Sequence, residues 1–326
     1  MYRSSIRLLA FVALALLVMS AVPARAEEQA IQSSDFHVLT ADNVSIHVHR
    51  KIASGLAKVP VLLIHGTWGD ARTWDFPGRS VMDHLAVEGY DVYALDLRGM
   101  GNSDKPANYF TIDIGSRVND AVAVASYILA TTGKAPVVLG WSQGGEITGL
   151  LAANAPQLVA GVGFLSVPRD AFSVPANLFP VLEQVILSGA DRFLPTEPEI
   201  NEVAFGPLMS PQAEDTFYSI SDPDSVPAIE EAAGLSGAFN AALLSAWPAI
   251  HQPALVADGA LDPLVGPQAS LNLYNALGTA KDHKQLIIFP FNSHGWFLEN
   301  DHALTMLAVD LFLFQFRSPI SPDSRD

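Results

Sequence analysis

Three side chains far apart in the chain have the types that acyl transfer needs: Ser142, Asp262 and His294. A serine hydroxyl is a weak nucleophile at its ordinary pKa. It needs an imidazole to take its proton and a carboxylate to fix the imidazole's tautomer and steady its charge. Ser142 is the centre of Gly140-Trp141-Ser142-Gln143-Gly144, directly after the apolar run 137–139. That order predicts a strand reversing into a helix within about one residue, which strains the serine backbone and demands neighbours without a Cβ. The reversal lifts the hydroxyl above the sheet. It also leaves the Gln143 N–H at a helix N-terminus, where positive partial charge suits a developing oxyanion. Taken alone, the pentapeptide would equally serve a bend that lets backbones pack closely, so the rest of the chain has to decide.

The other two groups belong where ligands bind in open α/β sheets, at the C-terminal ends of strands. Asp262 follows the run 255–257 in Asp258-Gly259-Ala260-Leu261-Asp262-Pro263, and His294 follows the run 286–289 in Phe291-Asn292-Ser293-His294-Gly295. Asp258 and Asp170 compete for the role of the acid. Asp262 is preferred because it sits on the loop beyond the strand, whereas Asp258 lies within or at the strand end. His65 is read as a structural residue holding the Gly66 loop, and His37, His47, His49, His84, His251, His283 and His302 lack a strand-end context. No helical His-x-x-x-His and no Cys cluster is present, and His47 with His49 has no evident third ligand, so neither a metal nor another cofactor is expected.

The elements that must position these groups follow from hydrophobic patterning. Segments 36–39 and 44–48 alternate as half-buried strands around the turn residues Asp42 and Asn43, after a tail ending near Ser34. Continuous apolar runs then appear at 59–64, 92–95, 137–139, 159–165, 254–257 and 286–289, the pattern of parallel strands buried on both faces. Helical periodicity falls between them at 81–88, 112–130, 146–153, 269–276 and 302–316. Between 168 and 250 this rhythm stops. Many prolines and short amphipathic pieces at 178–187 and 237–247 replace it, and a structureless loop of that length is foreign to a compact domain, so a helical insertion over the strand ends is expected.

With the elbow, the strand-end acid and base, and the order Ser, Asp, His in place, the chain resembles the α/β-hydrolase superfamily over about 36–316, apart from the insertion. Two further loops carry the resemblance: His65-Gly66-Thr67-Trp68-Gly69, and Asp96-Leu97-Arg98-Gly99-Met100-Gly101-Asn102-Ser103. It implies a mostly parallel central sheet with helices on both faces and a helical cap insertion. The implied divisions are a core at 27–167, a cap at 168–250 and a second core segment at 251–326. It further implies an oxyanion hole made by the N–H groups of Gln143 and Thr67, with Trp68 the weaker alternative to Thr67. Asp96, Arg98 and Ser103 are implied to be structural. Trp68, Trp141 and Trp296, close in sequence to these groups, are expected to line the substrate pocket, whereas Arg169 is read as solvated or paired with Asp170.

Residues 1–26 read as a secretory signal: Arg3 and Arg7, the apolar run 8–18, then Ala24-Arg25-Ala26 before Glu27. A periplasmic or extracellular protein is expected, without stable membrane insertion once the signal is gone, because no later segment has 18 uninterrupted apolar residues. Cys is absent, which excludes disulfides and a lipid-anchored N-terminal Cys. Without residues 1–26 the chain has 34 acidic and 15 basic residues, a net charge near −19 that disfavours nucleic acid, anionic lipid and highly anionic substrates. The function expected is ester hydrolysis on a small or oligomeric, hydrophobic substrate. Lactone, thioester, amide or carbon–carbon cleavage would use the same residues, and a ligand-binding protein without turnover is the alternative from another class.

Overall fold

The computed structural model describes residues 30–53, 59–174 and 178–317. The signal expected at 1–26 lies outside these residues. Strands β1 (Ile31–Leu39) and β2 (Ser45–Ala53) form an antiparallel hairpin, closed where Asn43 takes a left-handed conformation and Thr40 N–H donates to Val44 O at 3.0 Å. The first strand starts earlier than the expected tail allowed. Gln32, Ser33, Ser34 and Asp35 are exposed, and it is backbone pairing with β2 that makes them a strand.

Six parallel strands follow: β3 (Pro60–Ile64), β4 (Asp91–Leu95), β5 (Val137–Trp141), β6 (Gly161–Leu165), β9 (Ala254–Gly259) and β10 (Lys284–Phe289). The sheet runs β1-β2-β4-β3-β5-β6-β9-β10, with β2 antiparallel to both of its neighbours. The apolar runs are continuous because each face of the sheet meets its own layer. On β3, Leu62 and Ile64 join one cluster with Val118, Val124, Ile147 and Leu151, while Val61 and Leu63 join another with Val81, Leu85, Val309 and Phe312. The first layer comprises α2 (Ile114–Thr132), α3 (Gln143–Asn154) and α9 (Gly266–Ala276); the second comprises α1 (Val81–Val87) and α10 (His302–Phe314). Truncating one of the fully buried β3 leucines to Ala would cost about 2–5 kcal/mol.

Helix α2 is well delimited. Asp113 and Ser116 form a reciprocal capping box, and Gly133 ends the helix in a left-handed conformation. The box fixes the first turn, which carries Arg117.

Between β6 and β9 lie α4 (Phe179–Ser188), α5 (Glu197–Ala204), α6 (Pro211–Ser219), α7 (Val226–Ala232) and α8 (Gly237–Ala246). Two short strands, β7 (Arg192–Phe193) and β8 (Asp224–Ser225), pair antiparallel among them. The insertion continues both hydrophobic layers. Ile200, Phe205 and Phe217 extend one cluster, and Phe239, Leu243 and Trp247 extend the other, with Trp247 packed over Gly149 of α3.

Candidate active site

Strand β5 lies at the centre of the sheet between β3 and β6, with Ile64 opposite Gly140 and Trp141 opposite Leu165. Ser142 follows at once, with φ 56° and ψ −129°, a conformation that side chains with a Cβ rarely adopt. Gly140 and Gly144 make the bend. A Cβ on Gly140 would strike the Gly144 carbonyl, and one on Gly144 would strike the carbonyls of Ile64 and His65. Ser142 N–H is held by Leu165 O at 2.9 Å, and Gly145 N–H closes the turn on Ser142 O at 2.8 Å.

Asp262 and His294 meet beyond the ends of β9 and β10. His294 Nδ1–H donates to Asp262 Oδ2 at 2.7 Å, with both side chains almost wholly buried, which leaves Nε2 as the basic nitrogen. Asp262 is itself fixed by the N–H groups of Leu264 and Val265, at 2.7 and 3.1 Å to Oδ1. Burial works against its charge, but the neighbouring imidazole and these donors hold its carboxyl below the ordinary value. The loop carrying His294 is braced from two sides. The indole N–H of Trp141 and the hydroxyl of Ser166 both donate to His294 O at 2.9 Å, and buried Glu299 accepts from Ser293 N–H at 3.1 Å.

Ser142 and His294 open onto one cavity, whose other walls include Thr67, Trp68, Trp141, Leu182, Ile200 and Phe217. Among the described residues, no Asp, Glu, Lys or Arg lines it. Trp296 does not line it either. This residue is completely buried against Phe289 and Phe297, because the short helical turn after His294 rotates its side chain into the core. The competing acids are placed as well. Asp170 is exposed on the surface, 3.7 Å from Arg169, and Asp258 is buried behind Asp262.

The loop after β3 brings the second pair of candidate donors. Trp68 N–H is already directed to Asp224 Oδ2 at 3.3 Å, which makes Thr67, on the cavity wall, the better placed of the two. His65 stays neutral in the core, its pKa lowered by burial; Nδ1–H donates to Gly66 O at 2.8 Å and Nε2 accepts from Leu97 N–H at 3.0 Å. The Asp96 loop is a brace of the same kind. Asp96 accepts from the N–H groups of Ala71 and Asn102 and from His47, while Ser103 Oγ–H donates to Asp96 O. His47 and His49 are thus occupied by carboxylates, those of Asp96, Asp35 and Asp75.

Residues 59–301 match the family model for the alpha/beta hydrolase fold. The chain belongs to that family. Over 116 residues this α/β hydrolase is 33% identical to a triacylglycerol lipase of Pseudarthrobacter phenanthrenivorans, an alignment that covers 34% of each chain. It therefore spans about a third of the length of the curated relatives it first matches. Its structure is similar to the enol-lactonase from Burkholderia xenovorans LB400, with a TM-score of 0.67 at 20% identity, covering 86% of this chain and 100% of the other. It is also similar to a thermophilic esterase from Thermogutta terrifontis, with a TM-score of 0.66 at 20% identity, covering 87% and 100%. Both of these likenesses are likenesses of fold.

Two groups of this α/β hydrolase touch the site in roles the sequence did not assign to them: Asp258, which it offered only as a competitor of Asp262, and Arg117, which it did not single out. Asp258, completely buried, is hydrogen-bonded to Asp262 and accepts from Ser270 Oγ–H at 2.8 Å. Burial and the adjacent Asp262 charge push its pKa up to about 9, so it is a neutral acid at pH 7. Arg117 on α2, also without exposed surface, forms a forked ion pair with Asp224 and donates from Nη1 to Gln143 Oε1 at 2.5 Å. An arginine in the first turn of a helix reads in sequence as a solvated side chain. Only the fold brings its partner, 107 positions away, against it.

Proposed function

We propose that this protein is a serine hydrolase that cleaves carboxylic esters of small or oligomeric, uncharged hydrophobic substrates through an acyl-enzyme. The observation that carries this reading is the 2.7 Å bond from His294 Nδ1 to Asp262 beside an apolar cavity that Ser142 also lines. The lipase and esterase names of the relatives point the same way.

In this reading His294 Nε2 removes the Ser142 proton as Oγ forms a bond to the substrate carbonyl carbon. The carbonyl π electrons move onto oxygen, and the N–H groups of Gln143 and Thr67 receive the charge. Collapse of that intermediate expels the alcohol, protonated by the imidazolium, and leaves the acyl group on Ser142. Water then repeats the sequence: His294 takes its proton, hydroxide adds to the acyl carbon, and the carboxylic acid departs as Oγ recovers its proton. A lactone is the same bond closed into a ring, and the enol-lactonase relative puts lactones on the substrate panel. Residues 1–26, which read as a secretory signal, support action outside the cytoplasm.

The test is a fluorophosphonate probe with an ester, thioester and lactone panel of graded chain length, run on wild type and Ser142→Ala. Labelling and turnover that vanish together in Ser142→Ala are expected. Wild-type turnover in that variant would end the reading, and an unlabelled, inactive wild type would make the protein a binder.

A further inference from the structure

We infer that Arg117 and Asp224 are the positioning residues of the oxyanion hole, and that the insertion, which supplies Asp224, completes that hole. The inference rests on the serine-hydrolase reading and extends it to residues outside the triad.

The ion pair has no exposed surface on either side chain. Charges so placed cost stability unless well-aimed hydrogen bonds saturate them, and a buried pair is therefore weak as a device for stability alone. What this pair does is geometric. Arg117 Nη1–H donates to Gln143 Oε1 at 2.5 Å and to Asp224 Oδ2 at 3.1 Å, and Nη2–H completes the fork to Asp224 Oδ1. Gln143 is pinned from the far side too, its Nε2–H donating to Ala228 O of α7 at 3.1 Å. Gln143 is the first residue of α3, so these two bonds fix the amide that carries one candidate donor.

The second donor segment ends on the same carboxylate. Trp68 N–H donates to Asp224 Oδ2 at 3.3 Å, which orients the peptide immediately after Thr67. Trp68 holds a left-handed backbone with φ 62°, a strained state that persists only where the surroundings over-determine it. The surroundings do so from the insertion: Asp222 N–H donates to Trp68 O at 2.9 Å, and the Trp68 indole N–H donates to Phe193 O of β7 at 3.0 Å. One buried arginine from α2 and one carboxylate from β8 thus set the separation of the two amides that face the oxyanion. Lysine could not replace the arginine, because an ammonium lacks the planar fork that reaches Asp224 and Gln143 together.

The pair is tested by replacing both charges with apolar groups of similar size, Arg117→Met with Asp224→Leu, alongside Arg117→Lys and Gln143→Met. Circular dichroism melts establish folding, and kcat and KM are measured separately on an ester that turns over in the wild type. Expected is a folded double variant with kcat lowered by roughly 10²–10³, the cost of one misplaced oxyanion donor, and KM little changed. Arg117→Lys should fall between it and wild type. A folded double variant with wild-type kcat overturns the inference, as does a loss seen only in KM. Should the double variant fail to fold, Gln143→Met decides: it keeps the ion pair and the backbone N–H, so wild-type kcat there overturns the inference and a lowered kcat supports it. Ser142→Ala, run in parallel, separates failure of this inference from failure of the hydrolase reading, since only the latter predicts retained turnover in that variant.

Discussion

Asp258 and Asp262 are hydrogen-bonded to one another at the end of β9, and burial with mutual repulsion divides their protons unequally: Asp258 keeps its proton up to about pH 9, while Asp262 beside His294 gives its proton up below the ordinary value. The acid that orients the imidazole is therefore backed by a neutral carboxyl group. The two titrate as a pair, and the proton remains on the member away from the imidazole.

This division has a consequence for stability. In the unfolded chain Asp258 ionises near its ordinary 3.8, whereas in the folded chain it holds its proton to about 9. Between those values the native state binds more protons than the unfolded one. The stabilisation is thus fully present below pH 4 and is lost as pH rises through 9, with a slope of at most about 1.4 kcal/mol per pH unit. Asp120, pushed up to about 6, and Glu146, also raised by burial, add slopes of the same sign, so the informative quantity is a difference. Asp258→Asn should melt with a shallower decline than wild type between pH 5 and 9. Parallel melting curves for the two proteins would show that Asp258 is ionised in the native state.

Of Asp262 and Asp170, only Asp262 faces the imidazole, and kinetics can tell them apart. Asp262→Asn removes the acceptor that fixes the Nδ1–H tautomer and should lower kcat by roughly 10⁴ with little change in folding. Asp170→Asn, altering an exposed carboxylate paired at 3.7 Å with Arg169, should leave kcat as it is. The measurement is steady-state turnover of an ester by the two variants side by side. A large loss in Asp170→Asn with none in Asp262→Asn would reassign the acid.

The loop that offers Thr67 approaches Ser142 so closely that Gly66 has no room for a side chain. A Cβ there would stand 2.8 Å from Ser142 Cβ. Gly66→Ala must therefore push the loop away from the elbow, and with it the Thr67 amide proposed as the second oxyanion donor. A loss of roughly 10²–10³ in kcat is expected, comparable to deleting that donor. Wild-type kcat in Gly66→Ala would mean that the loop moves without carrying a donor.

What the chain reveals before folding follows from how local each signal is. Strands β3 to β6 and β9 are legible because burial on both faces writes an unbroken apolar run, whereas the edge strand β10, with the apolar run 286–289, is only half-buried; Ser142 is legible because its strained turn dictates glycine at two fixed offsets. Polar β1 escapes this logic in its first half: Gln32 to Asp35 face solvent, and only pairing with β2 defines them. Strands β7 and β8, two residues each, are too short to carry a period. Proximity in sequence misleads at Trp296, two residues from His294 yet turned into the core. Arg117 and Asp224 are invisible for the opposite reason. Each is ordinary in its own segment, and their meaning arises only where α2 and the insertion are pressed together.

The cavity walls set a sharper expectation for substrate choice. Among the described residues that line it, His294 is the one titratable group, and no Lys or Arg stands ready to receive an anion. An acyl chain ending in a methyl group gains from leaving water there, by about 0.8 kcal/mol for each CH₂ buried. A chain of equal length ending in a carboxylate would have to shed its hydration with no partner, at a cost of several kcal/mol. A hexanoyl ester should therefore exceed the matching ω-carboxylate ester in kcat/KM by about 10² or more, with most of the difference persisting at high salt. Equal specificity constants for the two would place the acyl chain outside this cavity, with only the scissile bond reaching Ser142.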